Sequence, residues 1–212
     1  MAKIWSTPEG DLKTLNYSLN EWNKKSSWLS ARKNILRDTR TVVQAGGNIG
    51  VFPYYLSKWF DTVITYEPIS KNYKVLCENT KQCNNIITVQ AALGDKVSAA
   101  KVLKEDRYNS GAIQLEYTQE ISSIRVLRLD DEYIVKDLDL LWLDIEGFEF
   151  KAIKGSLNLI EKYRPIIITE NNGLIHEYPA SLEGSPDFRK YIESLGYTHI
   201  QRIMRDDVFI PA

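Results

Sequence analysis

Three glycines, an asparagine and an acid stand at the spacing of a ligand-binding loop. The stretch Thr41-Val-Val-Gln-Ala-Gly-Gly-Asn-Ile-Gly50 passes from a β-branched run into Gly46, Gly47, Asn48 and Gly50, and then into a helical pattern. Glycines there give the turn backbone angles that a Cβ forbids and let a ligand approach bare backbone. Glu67 follows the apolar run Thr62-Val-Ile-Thr-Tyr66, where an acid can accept from both hydroxyls of a ribose. Together they predict a nucleoside pocket. Gly46-Gly-Asn-Ile-Gly50 lacks the Gly-x-Gly-x-x-Gly spacing that seats a pyrophosphate on a helix terminus, so an NAD-dependent oxidoreductase is disfavoured.

A second set of acids closes later apolar runs. Leu138–Asp144 reads as a buried strand stopping on Asp144, followed by Glu146, Gly147 and Glu149; Pro165 opens another strand that ends in Glu170-Asn171. A buried, uncompensated carboxylate is costly, and ligands in open α/β sheets sit at the carboxyl ends of strands. Gly46, Glu67, Asp144 and Glu170-Asn171 are therefore expected around one crevice. The competing reading of Asp144, Glu146 and Glu149 is that acids complement a helix start. His176, in a loop, is either a base or simply solvated, and His199 in the terminal hairpin is read as structural. Cys77 and Cys83 fall in one expected helix without metal-ligand spacing beside them and are read as buried structural thiols.

The elements that must position these residues follow from periodicity. Strands are expected at 41–46, 62–66, 86–92, 138–144 and 166–171, with helices at 49–60, 70–82, 148–163 and 186–195, Asn48 and Ser70 serving as caps. Single helices between strands imply right-handed parallel crossovers in one sheet. Runs at 99–103, 111–116 and 124–129 look like an antiparallel extension, and 197–203 and 208–210 form a closing hairpin. The segment 1–40 is polar and basic, with Trp5, Trp22 and Trp28; it is read as a helical cap, the alternatives being a substrate-gripping lid or the arm of a homodimer. The remaining 41–212 make one α/β domain. At 212 residues with a formal net charge of −1 and a pI of about 6.2, a general nucleic-acid surface is not expected. No apolar run suggests a membrane span or a signal peptide, so the expected compartment is cytoplasmic, without membrane partners.

In this order the pieces resemble the FkbM family of class I S-adenosylmethionine-dependent methyltransferases. The resemblance rests on Val42–Gly50, Glu67-Pro68, Ala92-Leu-Gly-Asp95, Asp144-Ile-Glu-Gly-Phe-Glu149, Gly155 and Pro165–Glu170. It implies a Rossmann-like α/β fold, a mostly parallel sheet with a C-terminal antiparallel hairpin strand. The implied cofactor is S-adenosylmethionine, bound by Gln44, Gly46, Gly47, Asn48, Gly50, Glu67, Pro68, Ala92, Leu93 and Asp144. The implied activity is O-methylation of a hydroxyl on a small-molecule or glycan acceptor, a sugar or natural-product-like compound, with Asp144, Glu146 and Glu170 as catalytic residues. Gln44 stands where the family has Asp; its amide can hydrogen-bond toward the cofactor's methionine end but carries no charge. That departure supports the rival reading, a nucleoside-binding module without activity. Asp144, Glu170 and Asn171 also resemble the oxygen ligands that hold Mg2+ in catechol-type O-methyltransferases; in the alternative without metal, Asp144 or Glu146 orients the acceptor or takes its proton.

Overall fold

A computed structural model describes residues 3–8, 11–31, 38–106, 109–120, 123–171 and 186–212. Five parallel strands carry the site: β1 (Thr41–Ala45), β2 (Thr62–Tyr66), β3 (Ile86–Val89), β8 (Leu140–Leu143) and β9 (Ile166–Glu170). The seven-stranded sheet has the order β10-β11-β9-β8-β1-β2-β3, where β10 (Tyr197–Ile203) and β11 (Asp206–Pro211) form the hairpin. The chain turns back so that β11 lies between β9 and β10, antiparallel to both. β1 and β8 are buried throughout because both faces are covered, which is why they read as continuous apolar runs.

Alternation along the strands divides the core. Val43, Ala45, Ile64, Leu141, Leu143 and Ile167 face one layer with Ile153, Ile160 and Phe188, from α4 (Glu149–Lys154), α5 (Leu157–Tyr163) and α6 (Pro186–Ser194). Val42, Val63, Leu140, Trp142 and Ile168 face the other, with Trp22, Phe52 and Leu56 from α1 (Leu12–Ala31) and α2 (Val51–Leu56). Trp22 stacks on Tyr55 with ring centroids 5.2 Å apart and an 8° interplanar angle. The N-terminal helix is thus part of the core layer. α3 (Ser70–Thr80) completes the β2–β3 crossover.

The extension after β3 is a second sheet of order β4-β7-β5-β6, from β4 (Ala92–Leu93), β5 (Ser98–Asp106), β6 (Asn109–Thr118) and β7 (Ile124–Leu127). The single strand expected at 86–92 is therefore two. The chain leaves the main sheet after Val89 and pairs Ala92-Leu93 in parallel with Val126-Leu127. The helix expected at 148–163 is also broken, at Gly155-Ser156. A Cβ on Gly155 would lie 2.0 Å from the Gly94 carbonyl oxygen, so close backbone contact sets the break. Asp130 then accepts from the N–H groups of Asn158 and Leu159 at the start of α5. Neither expected cap is one: Gly50 and Ile69 hold those positions, without side-chain cap bonds. Cys83 falls beyond α3, and both cysteines are free and half-buried rather than fully buried. No helix among the described residues is long and apolar enough to cross a membrane.

Candidate active site

The loop after β1 is shaped by alternating left-handed residues, Gly46 (φ 88°), Asn48 (φ 45°) and Gly50 (φ 87°). The glycine at 46 answers to protein as well as to any ligand: a Cβ there would stand 1.8 Å from the Asp144 carbonyl oxygen. Gly47 is packed against Leu76 and Thr65 in the same way, while Gly50 faces α3, outside the cleft. The loop is tied to Glu67. Its Oε2 accepts from the Asn48 N–H at 2.7 Å and its Oε1 from the Ile69 N–H at 2.9 Å. Burial pushes this carboxyl up to about 7, against the pull of those two donors.

Glu67 sits where two lobes of one cleft meet. The apolar lobe is lined by Pro68, Ile69, Ala91, Ala92, Leu93 and, from farther along the chain, Ile113, Leu115 and Phe148. The polar lobe is lined by Gln44, Gly46, Gly47, Asn48, Asp144, Glu146 and Glu170, and by Tyr17, Glu21 and Arg205. Gly46, Glu67, Asp144 and Glu146 border both. The strand-end acids thus share one crevice.

Gln44 borders the polar lobe but its amide is engaged within the protein. Oε1 accepts from Thr65 Oγ1 at 2.6 Å, and Nε2 donates to the carbonyl oxygens of Gly46 at 2.9 Å and Ala45 at 3.2 Å. Glu149 is likewise a builder of the loop: it is buried and accepts from the N–H groups of Ile145 and Gly147, both at 2.9 Å. Burial raises it to about 8. Between those anchors Glu146 is held at φ 50°, a costly conformation for a residue with a Cβ, at the cleft wall.

Asp144, Glu146 and Glu170 each offer an oxygen within 4.8 Å of the others. Glu170 is 4% exposed; burial, then the charges of Asp144, Glu146 and Glu149, raise its carboxyl to about 11, with Arg205 opposing. Its Oε1 lies 3.5 Å from Arg205 Nε and its Oε2 is buried without a partner. Asn171 stands apart from the polar lobe's lining: Nδ2 donates to Asp207 Oδ2 at 2.7 Å, beside Arg189 and His199. Asn171 Oδ1 is buried without a partner among the described residues, while Glu146 is the third acid beside Asp144 and Glu170. His199 is 3.2 Å from Asp207, in a structural network, and His176 lies outside the described residues.

Sequence reasoning missed the underside of the site. Lys25, 1% exposed, reaches from α1 to Asp206 at 2.8 Å, Glu21 at 3.5 Å and Asp144 at 3.6 Å. Its ammonium also lies 5.3 Å from the Phe52 ring centroid and 5.9 Å from that of Trp142. Burial disfavours that charge, but Asp144, Asp206 and Glu21 outweigh it and hold Lys25 firmly protonated. Burial raises Asp206 to about 6 despite Lys25. At the rim, Arg205 donates to the Tyr17 hydroxyl, which donates to Glu21 Oε1 at 3.3 Å. A signal existed: Lys25 falls on the helical face of Trp22 and Leu29, and a lysine on an apolar face calls for a buried anion.

The fold is shared with solved methyltransferases. An FkbM methyltransferase from Methylobacillus flagellatus KT superposes with a TM-score of 0.56 at 19% identity, covering 84% of this chain and 46% of its own. This chain therefore spans about half of that protein. Magnesium protoporphyrin IX methyltransferase (ChlM) from Synechocystis PCC 6803, with SAH bound, gives 0.55 at 12% identity, covering 94% and 86%. A fibrillarin/Nop5p complex gives 0.52 at 15% identity, covering 90% and 80%. Curated protein sequences include no significant match. The family described as Methyltransferase FkbM domain matches residues 44–198, which takes in the glycine loop, Glu67, Asp144 and Glu170, and the chain belongs to that family.

Proposed function

We propose that the protein binds S-adenosylmethionine in this cleft and methylates a hydroxyl oxygen of a small acceptor, a sugar or natural-product-like alcohol. The observation that carries the reading is Glu67, a buried carboxylate at the junction of an apolar lobe and a polar one. A nucleoside has that division: a flat base suited to Ala91–Leu93, Ile113, Leu115 and Phe148, and a ribose whose two hydroxyls can donate to Glu67. The unpartnered Glu170 Oε2 and Asn48 Oδ1 in the polar lobe suit the charged amino-acid end. When bound, the sulfonium supplies a methyl group on a good leaving group. The chain's own task is to hold the acceptor in line and to receive the hydroxyl proton. Asp144, at the border of the two lobes and backed by Lys25, fits that second role, with Glu146 beside it orienting the acceptor. Glu170, raised by burial, fits a proton-bearing neighbour.

A second reading is favoured by the 4.8 Å grouping of Asp144, Glu146 and Glu170, a hard oxygen set of the type that takes Mg2+. Lys25 and Arg205 already stand at two of these carboxylates and weigh against it. Calorimetry with S-adenosylhomocysteine and with NADH tests the pocket, and transfer of labelled methyl to a panel of hydroxylated acceptors tests the reaction. Tighter binding of NADH would refute the first, and binding without transfer to any nucleophile would favour an inactive module.

A further inference from the structure

We infer that the N-terminal helix supplies the anionic partner for the ammonium of the ligand's amino-acid end, through Glu21 of α1. The inference rests on the S-adenosylmethionine reading of the cleft. It starts from Gln44. That side chain is neutral and its amide is spent on Thr65, Ala45 and Gly46, so β1 offers the ligand no charge. The lobe is nevertheless acidic: Glu21, Asp144 and Glu146 line it, with Glu170 protonated beside the cation Arg205.

Lys25 does not balance this surplus. Its ammonium is shared among three carboxylates and lies nearest Asp206, at 2.8 Å against 3.5 Å to Glu21 and 3.6 Å to Asp144. A buried carboxylate without a full complement of donors is costly. One further acceptor of the same lobe, Asn48 Oδ1, is buried with no partner among the described residues. Among the described residues the lobe thus holds more acidic groups than cations, and a ligand ammonium brings both a charge and three N–H donors.

Glu21 is the acid placed for it. Its side chain is 9% exposed, it lines the lobe, and its neighbours are Lys25 and the Tyr17 hydroxyl. Asp144 meets the same Lys25 ammonium and is taken up by the acceptor in the reading above, which leaves Glu21, on the lining of the lobe, for the ligand's ammonium. Glu170 is held by Arg205 and kept protonated by its surroundings. Glu21 lies outside the stretch matched by the family, residues 44–198.

The test compares two ligands that differ in this end. S-adenosylhomocysteine carries the amino acid; 5′-methylthioadenosine lacks it. Calorimetry on the intact wild-type chain and on Glu21→Gln should give a loss of about tenfold or more for S-adenosylhomocysteine and a change within about twofold for methylthioadenosine, the pattern of a lost charge-assisted bond. Equal losses for both ligands, or none for S-adenosylhomocysteine, would overturn the inference while leaving the cofactor reading intact. A wild-type protein that binds neither ligand would overturn both. Should Glu21→Gln melt below the assay temperature, the same pair is compared on Glu21→Asp, where the shorter arm must cost S-adenosylhomocysteine more than methylthioadenosine; equal costs reject the role of Glu21.

Discussion

The two lobes of the cleft share Gly46, Glu67, Asp144 and Glu146 but are built on opposite terms. The apolar lobe is walled on one side by residues that follow strand ends and on the other by the second sheet, and its one buried acid, Glu67, is met by two backbone N–H groups of adjoining loops. The polar lobe draws Tyr17 and Glu21 from the N-terminal helix and Arg205 from the terminal hairpin. It leaves buried acceptors unmatched. A self-satisfied pocket can be specified by local motifs, whereas a pocket balanced by distant charges depends on the whole chain folding around it. Four experiments separate the lobes on this basis.

The largest effect should come from the charge under the polar lobe. Lys25→Met leaves Asp206 buried beside Trp142 Nε1 with no cation. Removing one member of a buried pair costs about 3–5 kcal/mol, or roughly 10 °C in Tm for a chain of this size. Thermal unfolding checks it, and adding Asp206→Asn to the variant should recover much of the loss. A Tm unchanged in the single variant would mean that the network contributes nothing to stability.

The apolar lobe should answer in affinity. Glu67→Ala removes the ribose acceptor and strands the N–H groups of Asn48 and Ile69, so S-adenosylhomocysteine should bind about 100-fold more weakly. Glu67→Gln should lose about tenfold, because its amide keeps one acceptor. Isothermal calorimetry gives both numbers. Similar affinities in the wild type and Glu67→Ala would remove this residue from the ligand's contacts.

The same contrast explains what could be read from the chain. Val42–Gly50, Glu67 and Leu138–Asp144 announce themselves because a strand, its turn and its acid are contiguous, and the parallel sheet follows from their alternation with helices. Ile113, Leu115 and Phe148 are invisible as pocket residues, since only the second sheet's folding against α4 brings them to the apolar lobe. Lys25 and Glu21 lie in a helix whose polar composition suggests a surface cap; what buries them is Trp22 docking on Phe52, Tyr55 and Trp142. Asn48 and Ser70 look like caps because their residue types favour that position. Asn48 instead sits left-handed in the loop, its N–H donating to Glu67 and its side-chain oxygen capping nothing. Such pairings over long sequence separation leave no periodic trace.

Changing pH should move both lobes by a smaller amount. Burial holds Glu67 at about 7 and Glu149 at about 8, above the usual 4.5. Carboxyls raised in the folded state bind protons that the unfolded chain has released. Their stability contribution is therefore greatest below about 4.5 and is lost as pH rises through 7 to 8. The Tm of the ligand-free protein should fall between pH 5 and pH 8, less so in Glu149→Gln. Ligand affinity should run the other way. At pH 6 only about one tenth of Glu67 is ionised, so S-adenosylhomocysteine should bind up to about tenfold more weakly than at pH 8. A flat affinity profile would show that the protonation state of Glu67 is irrelevant to the ribose.

The smallest effect is expected from a divalent cation, and it sharpens the account of the polar lobe. Asp144, Glu146 and Glu170 are close enough to share one ion, yet Lys25 stands 3.6 Å from Asp144 and Arg205 3.5 Å from Glu170. Mg2+ loses its water shell reluctantly, and it would have to enter between two fixed cations and take the proton from Glu170. Millimolar Mg2+ added to the ligand-free protein should therefore raise its Tm by less than about 1 °C, below the stabilisation expected of a ligand at a large multiple of its Kd. Methyl transfer should survive an excess of chelator. A saturable rise of several degrees that disappears in Glu146→Gln, together with activity lost on chelation and restored by Mg2+, would make the three carboxylates a metal site and would assign Lys25 to positioning Asp144 as a ligand.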